Sequence, residues 1–104
     1  DRVHEKRLGL MLRPHLQKGR GMLFSFKPSR EVHFWMYKTL IPLDIVFCSN
    51  GLVVAIEENL PTCHDLPCPD YGPNMIVDNV IELSAGEAQR LQIRVGDQVK
   101  IQYK

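Results

Sequence analysis

No charge-free run in this chain is long enough to cross a membrane as a helix. The longest, Ile45 to Ile56, contains an Asn-Gly pair and falls well short of the ~20 apolar residues that a span needs. An excess of either charge is missing too: 13 basic residues face 12 acidic ones, for a formal charge of +1. Basic groups do gather early, at Arg2, Lys6, Arg7, Arg13, Lys18 and Arg20. Asp1 and Glu5 sit among them and few aromatics are interleaved, so no nucleic-acid partner is expected. There is no internal repeat and no low-complexity segment. With 104 residues, 44% hydrophobic and 24% charged, the chain is expected to form one globular domain over residues 1–104. It opens on Asp1 and carries no basic-plus-apolar leader, so we expect a domain from which an N-terminal signal or leader segment is missing.

The usual marks of catalysis and metal binding are also scarce. Ser25, Ser29, Ser49 and Ser84 lack a Gly-x-Ser-x-Gly setting, and His4, His15, His33 and His64 are scattered. Cys63, His64 and Cys68 offer three metal donors without a Cys-x-x-Cys or a His-x-x-x-His beside them. Met11, Met22, Met36 and Met75 would suit Cu(I) as soft ligands, but methionines on strands more commonly fill gaps in a core. No metal and no cofactor is expected.

Only three cysteines are present. Cys48 follows Ile45-Val46-Phe47 and reads as a small buried hydrophobe rather than a reactive thiol. Cys63 and Cys68 lie in Pro61-Thr62-Cys63-His64-Asp65-Leu66-Pro67-Cys68-Pro69, where prolines hold them near each other. A disulfide is the first reading, which favours an oxidising compartment; a reduced pair and a metal site are the alternatives.

The remaining pattern is mainly β. A short helix is expected over Glu5 to Leu12, stopped by Pro14. Strands are expected at Met22–Phe26, Val32–Tyr37, Ile45–Cys48, Leu52–Ile56, Asn79–Leu83 and Gln98–Tyr103, with a turn at Lys27-Pro28-Ser29-Arg30. Ser49-Asn50-Gly51 joins two β-branched arms, and Asn-Gly supplies the positive φ angles of a type I′ hairpin. The near-continuous apolarity of both arms predicts that both faces of this ribbon are covered. Asn59 to Asn74 reads as a long irregular loop with four prolines. Ser84 followed by Glu87 forms a capping-box signature for a second short helix, Ala85 to Leu91. About six strands and two short helices, joined by hairpin-type connections, predict a small antiparallel sandwich or barrel.

The densest run of potential site residues is Phe34 to Asp44, which holds the only tryptophan and then Thr39, Pro42 and Asp44. Rings give contact area and a few polar groups give orientation, as a ligand site requires. By strand parity Trp35 and Tyr37 share one face, and Phe34 and Met36 share the other. Asp44 and Glu82 are a possible carboxylate pair. The plainer readings are that Asp44 binds nearby backbone N–H groups and that Glu82, facing away from Ile81 and Leu83, is solvated. Arg13 could hold Asp44 in a structural ion pair or meet an anionic ligand.

Several segments together resemble the uncharacterised prokaryotic family DUF192. They are Gly9-Leu10-Met11-Leu12-Arg13, Gly21-Met22-Leu23-Phe24, Phe34-Trp35-Met36, Thr39-Leu40-Ile41-Pro42-Leu43-Asp44, Val80-Ile81-Glu82-Leu83-Ser84-Ala85-Gly86 and Val95-Gly96-Asp97-Gln98-Val99. Pro67-Cys68-Pro69-Asp70-Tyr71-Gly72-Pro73 is similar to the loop of a cysteine-containing branch familiar from cyanobacteria. The resemblance implies a small, mainly β, jelly-roll-like protein of an often exported kind, and brings no established activity. One departure stands out: the family's usual Trp-Met-Lys-Asn-Thr reads Trp35-Met36-Tyr37-Lys38-Thr39 here. The leading functional expectation is an extracytoplasmic β domain that binds a small molecule or a protein partner. Its surface would comprise Arg13, Trp35, Tyr37, Thr39, Asp44 and Tyr71. The rivals are an enzyme using Asp44 and Arg13, and a structural or accessory interaction protein.

Overall fold

The computed structural model describes residues 21–99. The helix expected at Glu5–Leu12, Arg13, and the end of the last expected strand lie outside the described residues. Within them the chain is mainly β, as expected. Six strands form: β1 (Gly21–Arg30), β2 (Phe34–Trp35), β3 (Leu43–Ser49), β4 (Leu52–Leu60), β5 (Asp70–Tyr71) and β6 (Val77–Ser84). One short helix, α1 (Glu87–Arg90), follows. Four strands make an antiparallel sheet in the order β1-β6-β3-β4, and β2 and β5 make a separate two-stranded sheet. The result is a sandwich-like arrangement rather than a closed barrel.

The hairpin at Asn50-Gly51 forms as expected. Ser49 pairs with Leu52, and Asn50 and Gly51 take φ of 51° and 77°, the left-handed region that a tight type I′ turn needs. Its two arms differ, however. β3 is central, and Leu43 to Cys48 are all buried. β4 lies at the sheet edge, and Val54 to Glu57 are only half-buried. Continuous apolarity correctly marked the first arm as covered and overstated the second.

Strand alternation on β3 divides the interior in two. Leu43, Ile45 and Phe47 join Phe24, Phe26, Phe34, Met36, Val77 and Val80 in the larger core on one face. Phe34 anchors it, with ring centroids 5.8 Å from Phe24 and 6.1 Å from Phe47. Val46 and Cys48 point the other way and pack with Val53 and Leu83 against Ile56, Ile81, Ile93 and Val99. Burying both faces of the central strand explains its unbroken apolar sequence. The same layering corrects the reading of Glu82. It does face away from Leu83, but that side is covered by the larger core, and Glu82 is fully buried.

Three further expectations are revised. Lys27 to Arg30 is a bulged continuation of β1, not a free turn, because the ladder to β6 resumes at Arg30 opposite Val77. The long proline-rich loop contains β5, whose Asp70 and Tyr71 pair with Trp35 and Phe34. Finally, the Ser84–Glu87 capping box does not form. The N-cap is Gly86, at φ 93°, and it makes no side-chain cap hydrogen bond. Glu87 instead binds Arg90, at 2.6 and 2.9 Å.

Candidate functional site

The segment from Val32 to Thr39 places its side chains by alternation. Val32, Phe34 and Met36 are buried, while Trp35 is 40% exposed and Tyr37 is half-buried. Trp35 and Tyr37 lie side by side with ring centroids 5.2 Å apart and a 55° tilt, a favourable aromatic geometry. The Lys38 ammonium sits 5.2 Å from the Tyr37 ring centroid. Across the ladder, Asp70 is the direct partner of Trp35, so the two side chains share a face. The exposed face of this small sheet therefore carries two rings between a cation and a carboxylate.

What holds the strand in place is the loop that follows β4. The Cys63 N–H donates to the Met36 carbonyl at 3.3 Å, and the Lys38 N–H donates to the Cys63 carbonyl at 3.2 Å. Seven residues later, Asp70 and Tyr71 pair with Trp35 and Phe34. Cys63 and Cys68 are joined in a disulfide, with Cα atoms 6.1 Å apart, which ties the two anchor points together. That observation selects the disulfide among the three readings of this pair. Gly72 lets the loop lie close, since a Cβ there would collide with the Val32 carbonyl and meet His33.

Of the six residues expected to form one surface, the five among the described residues do not all come together. Trp35 and Tyr37 lie together on it. Tyr71 pairs with Phe34, so it turns to the buried side and packs on the larger core. Thr39 is 2% exposed, in a tight turn where its N–H donates to the Met36 carbonyl at 3.1 Å. Asp44 is fully buried, and its carboxylate accepts from the N–H groups of Asn59 (2.8 Å), Gly86 (3.0 Å) and Ala88 (2.9 Å). This is the backbone-binding role that its sequence context offered as the plainer reading. Arg13 lies outside the described residues. Lys38 and Asp70 were not singled out from the sequence. Lys38 lies inside the Phe34–Asp44 run, but Asp70 needs the β2–β5 register, which no sequence signal supplies.

Cys48 is buried and free, and burial with nearby Asp78 pushes its thiol up to about 11. A thiol so raised stays protonated at neutral pH and is a poor nucleophile. No group of three or more His, Cys, Asp or Glu side chains suited to a metal ion occurs among the described residues. No helix among them is long and apolar enough to cross a membrane.

These features define a small antiparallel β-sandwich with a disulfide-fastened aromatic face. The chain belongs to the DUF192 family, described as uncharacterized ACR, whose model matches residues 1–101. Two solved structures are similar. One is a protein of unknown function from Novosphingobium aromaticivorans DSM 12444, 33% identical with a TM-score of 0.84, covering 94% of this chain and 69% of the other. The second, from Sinorhizobium meliloti 1021, carries the description "putative transcription regulator". It is 35% identical with a TM-score of 0.79, and the match covers 91% of this chain and 72% of that one. No curated protein matches the chain.

Proposed function

We propose that this chain is a non-enzymatic binding domain that works outside the cytoplasm and meets a protein partner through the Trp35–Tyr37 face. The observation that carries this reading is the exposed indole in tilted contact with Tyr37 at the surface of a two-stranded sheet. Large rigid rings at a surface are what binding hot spots use, because they bury much area at little entropic cost. Lys38 and Asp70 at the edges supply charges of both signs to fix orientation. The Cys63–Cys68 disulfide supports an oxidising compartment. The formal charge of +1 supports a partner other than nucleic acid. An enzymatic role through Asp44 is disfavoured because its oxygens are sealed in and already accept three backbone hydrogen bonds.

Photocrosslinking in the native host tests the reading. A photoreactive phenylalanine analogue at position 35 or 37 should give the same discrete protein adduct, whereas position 95, itself exposed, should not. The adduct from position 35 should be lost when Tyr37 is replaced by alanine. If positions 35 and 95 give the same products, or neither gives any, the face is not a partner surface.

A further inference from the structure

A second feature lies elsewhere, where β1 bulges away from β6. Ser25 pairs with Asn79 and Arg30 with Val77, so residues 26–29 on β1 stand opposite Asp78 alone. Bulges of this kind re-aim side chains and recur beside binding sites. Here the bulge opens a cleft of ≈ 310 Å³ lined by Ser25, Phe26, Lys27, Pro28, Ser29, Asp78 and Asn79. That volume is at the small end of the range for small-molecule sites.

The wall of the cleft is fixed by hydrogen bonds. The Ser25 hydroxyl donates to Asn79 Oδ1 at 2.8 Å, and Asn79 Nδ2 donates to Asp78 Oδ1 at 3.1 Å. Asp78 Oδ2 accepts from the Asn50 N–H at 3.0 Å. Each carboxylate oxygen of Asp78 thus keeps acceptor capacity while its orientation is set. Phe26, 3% exposed, gives the cleft an apolar floor, and the Arg30 guanidinium lies 5.2 Å from that ring's centroid.

Lys27 and Asp78 line the same cleft yet form no ion pair with each other or with any other described residue. An anion alone would be repelled by Asp78, and a cation alone by Lys27. A ligand bearing both charges at short separation complements both ends. We propose that this cleft binds a small zwitterion, an α-amino acid, with its ammonium on Asp78 and its carboxylate toward Lys27. The side chain would lie against Pro28.

Isothermal titration of the whole protein with each of the twenty standard α-amino acids tests this. At least one should bind saturably, and its N-acetyl and methyl-ester derivatives should each bind about tenfold or more weakly. Asp78→Asn, which keeps the shape of the side chain, and Lys27→Met should each cause a similar loss with an unchanged circular dichroism spectrum. Tyr37→Ala should bind as the parent does, which separates this site from the aromatic face. The proposal is overturned if none of the twenty binds at about 10 mM, where even a millimolar Kd would register. It is equally overturned if the blocked derivatives, or the folded Asp78→Asn protein, bind as well as the parent pair.

Discussion

The Asp44 carboxylate accepts a hydrogen bond from the backbone N–H of Ala88 at 2.9 Å, across 44 positions of sequence. Asp44 is thereby the cap that the local sequence of α1 fails to provide, since Gly86 has no side chain and Ser84 and Glu87 do not form a capping box. The same carboxylate holds Gly86 and the Asn59 N–H at the end of β4. Asp44→Ala would leave three backbone donors without their acceptor, at a cost of about 3 kcal/mol or more. Asp44→Asn, which keeps one acceptor oxygen, should cost less. Urea unfolding of both variants measures this, and a loss under about 1 kcal/mol for the alanine variant would show that water replaces the carboxylate.

Lys38 has a φ of 59°, a left-handed conformation that most side chains adopt only at a cost. The DUF192 pattern carries Asn at the matching place, and Asn tolerates this region better than Lys. Lys38→Asn should stabilise the fold by about 0.5 kcal/mol, after subtracting the exposed contact with the Tyr37 ring. Thermal unfolding at matched pH would show this as a raised Tm; a lowered Tm would mean that the ring contact outweighs the backbone.

These two residues show what could be read in advance. The type I′ turn, the central buried strand and the alternation of Phe34 and Met36 with Trp35 and Tyr37 are local patterns, and all are present. The unformed capping box, β5 and the inward turn of Tyr71 depend on contacts across 42 positions or on a short ladder inside a loop. A local motif gave way to a tertiary one here because the buried Asp44 carboxylate takes the Gly86 and Ala88 N–H groups, which sets the start of the helix at Gly86 instead of Ser84. The bulge at Lys27 to Ser29 was hidden for a related reason. Pro28 marks a turn by type, whereas β6 on the far side of the ladder decides that pairing resumes at Arg30.

The disulfide should matter locally more than globally. Cys63 and Cys68 are five positions apart, and a crosslink over so short a loop contributes about 2 kcal/mol in the chain-entropy picture. Its loss should free the hydrogen bonds that join Cys63 to Met36 and Lys38 before the four-stranded sheet is affected. Hydrogen exchange on the Cys63→Ser, Cys68→Ser double variant should quicken at the amides of positions 38 and 63, with the amide of Phe47 unchanged. Uniform quickening would mean that the loop and the sheet unfold together.

Adjacent residues on β2 should respond in opposite ways to truncation. Phe34→Ala empties a position that is 3% exposed and in ring contact with Phe24 and Phe47, and should cost about 3–5 kcal/mol. Trp35→Ala removes a larger side chain that is 40% exposed, and should cost about 1 kcal/mol or less. Denaturant midpoints compare the two directly. Acrylamide should quench the single tryptophan of the parent protein efficiently. Equal stability losses, or a shielded indole, would place Trp35 in the core and remove the exposed face on which the partner proposal rests.

Cys48 sets an expectation for alkaline stability. Burial, reinforced by Asp78, raises its thiol from 9.0 to about 11 in the fold. Below about 9 the thiol is protonated in both states and its full contribution is present. Between 9 and about 11 the unfolded chain ionises while the native one does not, so the unfolded state binds fewer protons and stability falls as pH rises. The part due to this thiol is at most ~3 kcal/mol over that window, since each pKa unit corresponds to about 1.4 kcal/mol. Cys48→Ala should lower stability at pH 7 through the small cavity it leaves, yet decline less steeply above pH 9. Other groups titrate in the same range, so the difference between the two proteins is the informative quantity. Parallel stability curves from pH 8 to 11 would show that the thiol ionises as readily inside the fold as outside it.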